Sequence, residues 1–176
     1  IQTLRTLAPR QDPDASKNLA ELLTPSEYLV VDGSNLAIIG DRQTAYIWTL
    51  RRVLEQMEQG GRKCKIIVGS RFPYIVDDNK TFNQLQAEER IYTMTGGLDD
   101  DVEILREADE KNGVILTNDI YARKEAFDES HPEYNSGKNI SIRKRAKKYP
   151  WIRDETRFIK HRVYPAEKTI VFYRYM

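Results

Sequence analysis

A chain of 176 residues and 20.6 kDa points to one solid core rather than two, burying roughly 70% of its unfolded surface. Its 40% hydrophobic and 31% charged residues exclude wholesale disorder, and no apolar run nears the roughly 20 residues that a membrane-crossing helix needs. The net charge of +1 and the single cysteine, Cys64, exclude a strongly polyanionic or polycationic chain and an intrachain disulfide. With only His131 and His161 beside Cys64, a Cys/His zinc site has no ligand set, so any metal must be held by oxygen. The chain begins at Ile1 rather than Met, as an excised domain would. The expected setting is the cytoplasm or nucleus, away from membranes.

In chain order, residues 1–12 read as an arm containing Pro9 and Asp12. Pro13 to Leu23 spaces Ala15, Leu19, Leu22 and Leu23 as a helix does. Together, residues 1–25 form an arm and helix ahead of a domain over 26–176. Tyr28 to Val31 is a short, unbroken apolar run, which suits a buried parallel strand entering an Asp-Gly-Ser-Asn loop. Thr44 to Gln59 repeats Ile47, Leu50, Val53, Leu54 and Met57 along one helix face, and Gly60-Gly61 ends it. Lys65 to Val68 is the second strand, Asn83 to Glu89 a helix and Ile91 to Met94 the third strand. A helix over Asp100 to Lys111 precedes a fourth strand at Val114 to Thr117, and two further helices run over Asp119 to Phe127 and Ser141 to Lys148. Arg157 to Val163 and Thr169 to Tyr173 flank Pro165-Ala166 as a closing pair of strands. Alternating strand and helix predict an α/β fold, a mostly parallel sheet in a three-layer α/β/α sandwich.

The small net charge hides two opposed segments. Asp99 to Glu110 holds seven acids against Arg106, and Arg143 to Arg162 holds nine bases against Asp154 and Glu155. Either run alone can be a solvated helix face, but Tyr149 and Trp151 inside the basic run favour a nucleic-acid surface.

Parallel α/β sheets build their sites outside the carboxyl ends of the strands, and three acidic clusters fall there: Asp32, the triplet Asp99-Asp100-Asp101, and Asp119. Each has an ordinary structural use, as an Asx turn or a helix cap. Jointly they call for more, because two carboxylates 4 Å apart repel by about 4 kcal/mol at an effective dielectric of 20. A hard divalent cation such as magnesium would relieve that repulsion. An acidic pit beside a basic rim suits metal-assisted phosphodiester hydrolysis. No phosphate-binding glycine loop and no serine nucleophile elbow points to a competing chemistry.

Three blocks resemble the NYN branch of the PIN-like ribonucleases, most closely its regnase-type domain. These are Val30-Val31-Asp32-Gly33-Ser34-Asn35-Leu36-Ala37, Asp100-Asp101 with Ile104, Ala108, Glu110 and Gly113, and Val114 to Tyr121 through Thr117-Asn118-Asp119. Weaker similarity runs from about Ser26 to Phe172. The resemblance implies a PIN-like (Rossmann-like) fold and a magnesium-dependent endoribonuclease acting on single-stranded or stem-loop RNA, with manganese able to substitute. Asp32, Asp100, Asp101 and Asp119 would hold the metal, and Asn35 would orient water or substrate. The chain departs from the regnase-type pattern four residues after Asp119, where Arg123 stands in place of a further acid, with Glu125 turned to another face of the expected helix.

The reading is therefore an RNA-cutting hydrolase with Asp32, Asn35, Asp100, Asp101 and Asp119 as its catalytic set. Ser34, Asn118, Arg71, Arg123, Arg143, Lys144, Arg145, Lys147 and Lys148 are the expected RNA contacts, and Tyr121 is either a base-stacking ring or a core residue. The alternative is a catalytically silent RNA-binding or scaffold domain of the same fold. A homodimer and further domains outside this segment are compatible with both.

Overall fold

The computed structural model describes residues 13–41 and 43–176, so the arm expected over residues 1–12 lies outside the described residues. The strands are β1 (Asp14–Ser16), β2 (Leu29–Asp32), β3 (Cys64–Val68), β4 (Ile91–Thr93), β5 (Val114–Leu116), β6 (Phe158–Tyr164) and β7 (Thr169–Arg174). The helices are α1 (Gly33–Ala37), α2 (Ile47–Gln59), α3 (Phe72–Ile75), α4 (Asn79–Ala87), α5 (Asp100–Glu110) and α6 (Gly137–Lys148), with short 3-10 turns between them.

Successive residues of a strand face opposite sides of its sheet, and here the alternation sorts cleanly into two apolar layers. Leu29, Val31, Ile66, Val68, Val114 and Leu116 pack with Leu50, Val53, Leu54 and Met57 of α2 and with Leu19, Phe72 and Phe82. Val30, Ile67 and Ile115 face the other way, onto Ile104, Leu105 and Ala108 of α5 and onto Tyr121, Tyr149 and Ile152. Burying each such aliphatic side chain contributes roughly 1.5–3 kcal/mol, which holds both layers to the sheet.

The seven strands form one sheet in the order β1-β7-β6-β5-β2-β3-β4. The pairs β3–β4, β2–β3, β2–β5 and β5–β6 are parallel, while β6–β7 and β1–β7 are antiparallel. The mostly parallel α/β architecture expected from the sequence is the one observed. From β2 the chain steps outward through β3 to β4, then returns by α5 to β5 on the other side of β2. The strand order thus reverses at β2, and the crevice at its carboxyl end is where such sheets bind ligands.

Five expectations are corrected, two in the kind of element and three in where a helix starts. Pro13 to Leu23 is not a helix but β1 followed by a 3-10 turn over Leu19–Leu22. Ser16 Oγ accepts the Asn18 N–H at 3.0 Å and Asn18 Oδ1 accepts the Ala20 N–H at 3.1 Å, local bonds that compete with a helix. Arg174 of β7 then donates to the Leu22 carbonyl at 2.7 Å, binding the segment to the sheet edge. Second, Asp119 to Phe127 forms no α-helix, only a 3-10 turn over Lys124–Phe127. The Asp119 N–H is taken by Thr117 Oγ1 at 3.1 Å and Tyr121 turns into the core, so the chain runs irregularly over β6. The placing of Glu125 on another face of that helix falls with it. Third, the helix expected from Asn83 begins earlier, at Asn79, because Asp78 caps it by accepting the Thr81 N–H at 3.0 Å. α2 starts at Ile47 rather than Thr44, since Ala45 bridges Ile38 and Val76 and Asp77 accepts the Ile47 N–H at 2.9 Å. α6 begins at Gly137, ahead of the expected Ser141, behind the Ser136 cap. No helix among the described residues is long and apolar enough to cross a membrane.

Candidate metal centre

Asp32 ends β2 and caps α1. Its Oδ1 accepts the Asn35 N–H at 3.1 Å, and its Oδ2 accepts the Thr117 hydroxyl at 2.9 Å, leaving the side chain almost wholly buried. The cap works only because residue 33 is glycine: a Cβ there would stand 2.6 Å from Val68 Cγ1 and 2.8 Å from Ile66 Cγ2, forcing α1 off β3. Across the crevice Asp99 caps α5 by accepting the Asp101 N–H at 2.9 Å, which puts Asp100 and Asp101 in the first turn. Asp119 follows β5 in the irregular segment.

One oxygen from each of Asp32, Asp101 and Asp119 lies within 4.8 Å of the other two. Asp100 belongs to an adjoining set, with Asp99 and Asp101, that meets the same criterion. Burial pushes the Asp32 carboxyl up to about 7, against the pull of its two hydrogen bonds and with help from the charges of Asp119 and Asp100. Burial likewise raises Asp101 to about 6, reinforced by Asp99, Asp100 and Asp119 and only partly offset by Arg145. Asp100 is raised by the same two effects. No base within ion-pair distance neutralises Asp32, Asp101 or Asp119 among the described residues. Three hard anionic oxygens, mutually repelling by roughly 3–4 kcal/mol per pair at an effective dielectric of 20, are a donor set that fits a divalent cation.

Asn35 sits between two of the acids. Its Nδ2 donates to Asp119 Oδ1 at 3.3 Å, while its Oδ1 accepts the Asn118 N–H at 2.8 Å and lies 3.0 Å from His161 Nε2. An amide oxygen only accepts, so His161 carries its proton on Nε2. Burial holds that imidazole down to about 4, aided by the nearby Lys160 charge, and it stays neutral. His161 was without an assigned partner in the sequence. What brings it to the site is the register Leu116↔Ile159, which sets Lys160 and His161 just past the end of β5 and which no local pattern carries. Lys160 Nζ donates to the Asp119 carbonyl at 3.0 Å. Tyr121 is a core residue, with its hydroxyl donating to Asp101 Oδ1 at 3.3 Å.

The expected RNA contacts separate into two groups. Ser34 Oγ accepts the Gly69 N–H at 2.9 Å, tying α1 to the loop after β3. The Asn118 amide accepts the His161 N–H at 2.8 Å and donates to the His161 carbonyl at 2.9 Å, extending the β5–β6 ladder. Arg143 points inward, donating to the carbonyls of Ala126 and Tyr134 at 2.8 and 2.7 Å and stacking 3.9 Å over the Tyr134 ring. These three side chains are committed to the fold. In contrast, Arg123 and Arg145 line a cavity of about 370 Å³ together with Asp101 and Asp119. Lys144, Lys147 and Lys148 are exposed on α6, and Arg71 is exposed at the start of α3.

No family model matches the chain, and no curated protein matches it. Among solved structures, two of the nuclear protein-only RNase P 2 (PRORP2) of Arabidopsis thaliana are similar. One is 12% identical, with a TM-score of 0.48 over 85% of this chain and 36% of that chain. The other is 14% identical, with a TM-score of 0.45 over 80% of this chain and 28% of that chain. This chain therefore spans about a third of the length of those proteins, and likenesses at these TM-scores carry no argument about its activity.

Proposed function

We propose that the chain is a metal-dependent endoribonuclease of the NYN, PIN-like kind, in its regnase-type form, acting on single-stranded or stem-loop RNA. The observation that carries the reading is the convergence of Asp32, Asp101 and Asp119, from three separate segments, at the crevice where the strand order reverses. These three would hold magnesium or manganese, with Asp100 beside them. Such an ion, when bound, polarises a phosphate oxygen and lowers the pKa of a water.

The chain's own groups supply the positioning. Thr117 and the Asn35 backbone hold Asp32 in one orientation, and the Tyr121 hydroxyl holds Asp101. His161 and the Asn118 N–H fix the Asn35 amide so that its NH2 is aimed at Asp119. Exposed bases on α6 supply attraction for the RNA backbone.

The test is cleavage of an end-labelled, unstructured RNA by the purified protein in magnesium and in EDTA, with Asp119→Asn as control. Internal cuts that require the divalent ion and vanish in the variant are expected. Binding without cutting, in magnesium and in manganese alike, would overturn the enzyme reading in favour of a silent RNA-binding domain. Arg123 favours that second reading, because it brings positive charge into the cavity that Asp101 and Asp119 share.

A further inference from the structure

The cavity of about 370 Å³ beside the acids is lined on its other side by Arg123, Lys138 and Arg145. We propose that these three bases form a subsite for one internal phosphate of an RNA strand, next to the phosphate held at the carboxylates. The identity of the strand rests on the ribonuclease reading; the subsite itself rests on the placement of charge.

The bases come from two elements, Arg123 from the segment after β5 and the other two from α6. Arg145 is oriented by the Tyr121 ring, 5.5 Å from its guanidinium carbon. Arg143 pins the Arg123 segment to α6 through the Ala126 carbonyl. The side chains of Arg123 and Lys138 make no hydrogen bond or ion pair with any described residue, although Asp101 and Asp119 line the same cavity. Bases placed to neutralise those acids would sit within ion-pair distance of them. Here both signs are held apart, which suits a ligand whose charge meets the bases while a neighbouring group of the same ligand meets a cation on the acids. A ribose-phosphate chain has that pattern. The cavity also shares Asp119, Ile120 and Tyr121 with a second one of about 720 Å³, leaving a path for the strand to continue.

The experiment measures binding of a labelled, unstructured RNA oligonucleotide in EDTA, where nothing is cut, by fluorescence anisotropy across a salt series. Arg123→Gln combined with Lys138→Gln is expected to weaken binding about tenfold. The slope of log affinity against log salt should fall by about 0.7, the single-strand value for one phosphate contact. Lys80→Gln, on the exposed side of α4, should change neither. Methylphosphonate placed at one linkage at a time should weaken wild-type binding most at one internal position, and the double variant should lack that penalty.

Unchanged affinity and slope in the double variant, verified as folded by its circular dichroism and melting curve, would overturn the subsite. So would a loss that follows only a terminal phosphate. Cleaving wild-type protein with no loss in the double variant defeats the subsite alone; a position-specific penalty in a protein that never cuts supports the subsite and defeats the nuclease reading.

Discussion

The two ends of α5 carry the same kind of residue to opposite purposes. From Glu103 onward the acids are matched. Arg106 donates to Glu103 at 2.9 and 2.5 Å and to Glu110 at 2.6 Å, and Lys65 of β3 reaches Glu107 at 3.3 Å. The Arg106 hydrogen bonds hold Glu103 below the usual carboxylate range. In the first turn Asp100 and Asp101 have burial and further acids for company, and their carboxyls are pushed up. Favourable placement near the helix dipole is worth about 0.3–1 kcal/mol per acid, well short of the repulsion among clustered carboxylates. Matched acids stabilise a fold; acids gathered against their own repulsion form a donor set that a divalent cation fits.

The largest expected break in that contrast comes from Asp32→Asn. Magnesium-dependent cleavage should fall by about 10³-fold or more, the weight of several kcal/mol in a barrier. The metal-free protein should melt higher at neutral pH, because a buried charge is gone. Cleavage at the wild-type rate would place the chemistry elsewhere.

His161→Ala releases the Asn35 amide without touching the acids. A loss of about 10- to 100-fold in cleavage is expected, with RNA affinity in EDTA unchanged. Equal losses of binding and cleavage would make His161 a structural residue only.

Titration of the metal-free protein sharpens the comparison further. Asp32 and Asp101 have folded-state values above their unfolded ones and His161 has one below, so between about pH 4 and about pH 6 the two carboxyls outweigh the imidazole and the native state binds more protons than the unfolded chain. Calorimetric stability should fall as pH rises through that window. Magnesium at a hundredfold excess over its Kd should return about 2.7 kcal/mol at the upper end. A stability that rises across it would contradict the unmatched acids.

The smallest effect belongs to the matched end. Arg106→Ala should cost about 0.5–1 kcal/mol, a few degrees in Tm, since its partners are partly exposed, and cleavage should not change.

Local pattern was legible wherever one segment settles its own state. Leu29 to Asp32 and Val114 to Leu116 lie on β2 and β5 because short apolar runs suit strands buried on both faces. The acids at the ends of those strands were legible for the same reason. The segment after Asp119 was not. Its residues suit a helix, yet Thr117, Asn118 and Tyr121 are bound to partners on other elements, and those contacts override propensity. Lys138 and His161 carried no local signal, since each acquires its neighbours only through the docking of α6 or the pairing of β6.

By itself, the sequence determined which stretches other than β1 are strands, that an α/β sheet joins them, and that acids stand at the strand ends, because periodicity and strand-end placement act over a few residues. Only the tertiary structure decided that β5 and β6 lie side by side and that Arg143 serves the fold. The same is true of Asp101, rather than Asp100, joining Asp32 and Asp119. These outcomes depend on pairings between distant residues, such as Asn118 with His161, 43 positions apart. Such pairings are set by the packing of the whole sheet and its helices, and no local pattern encodes them.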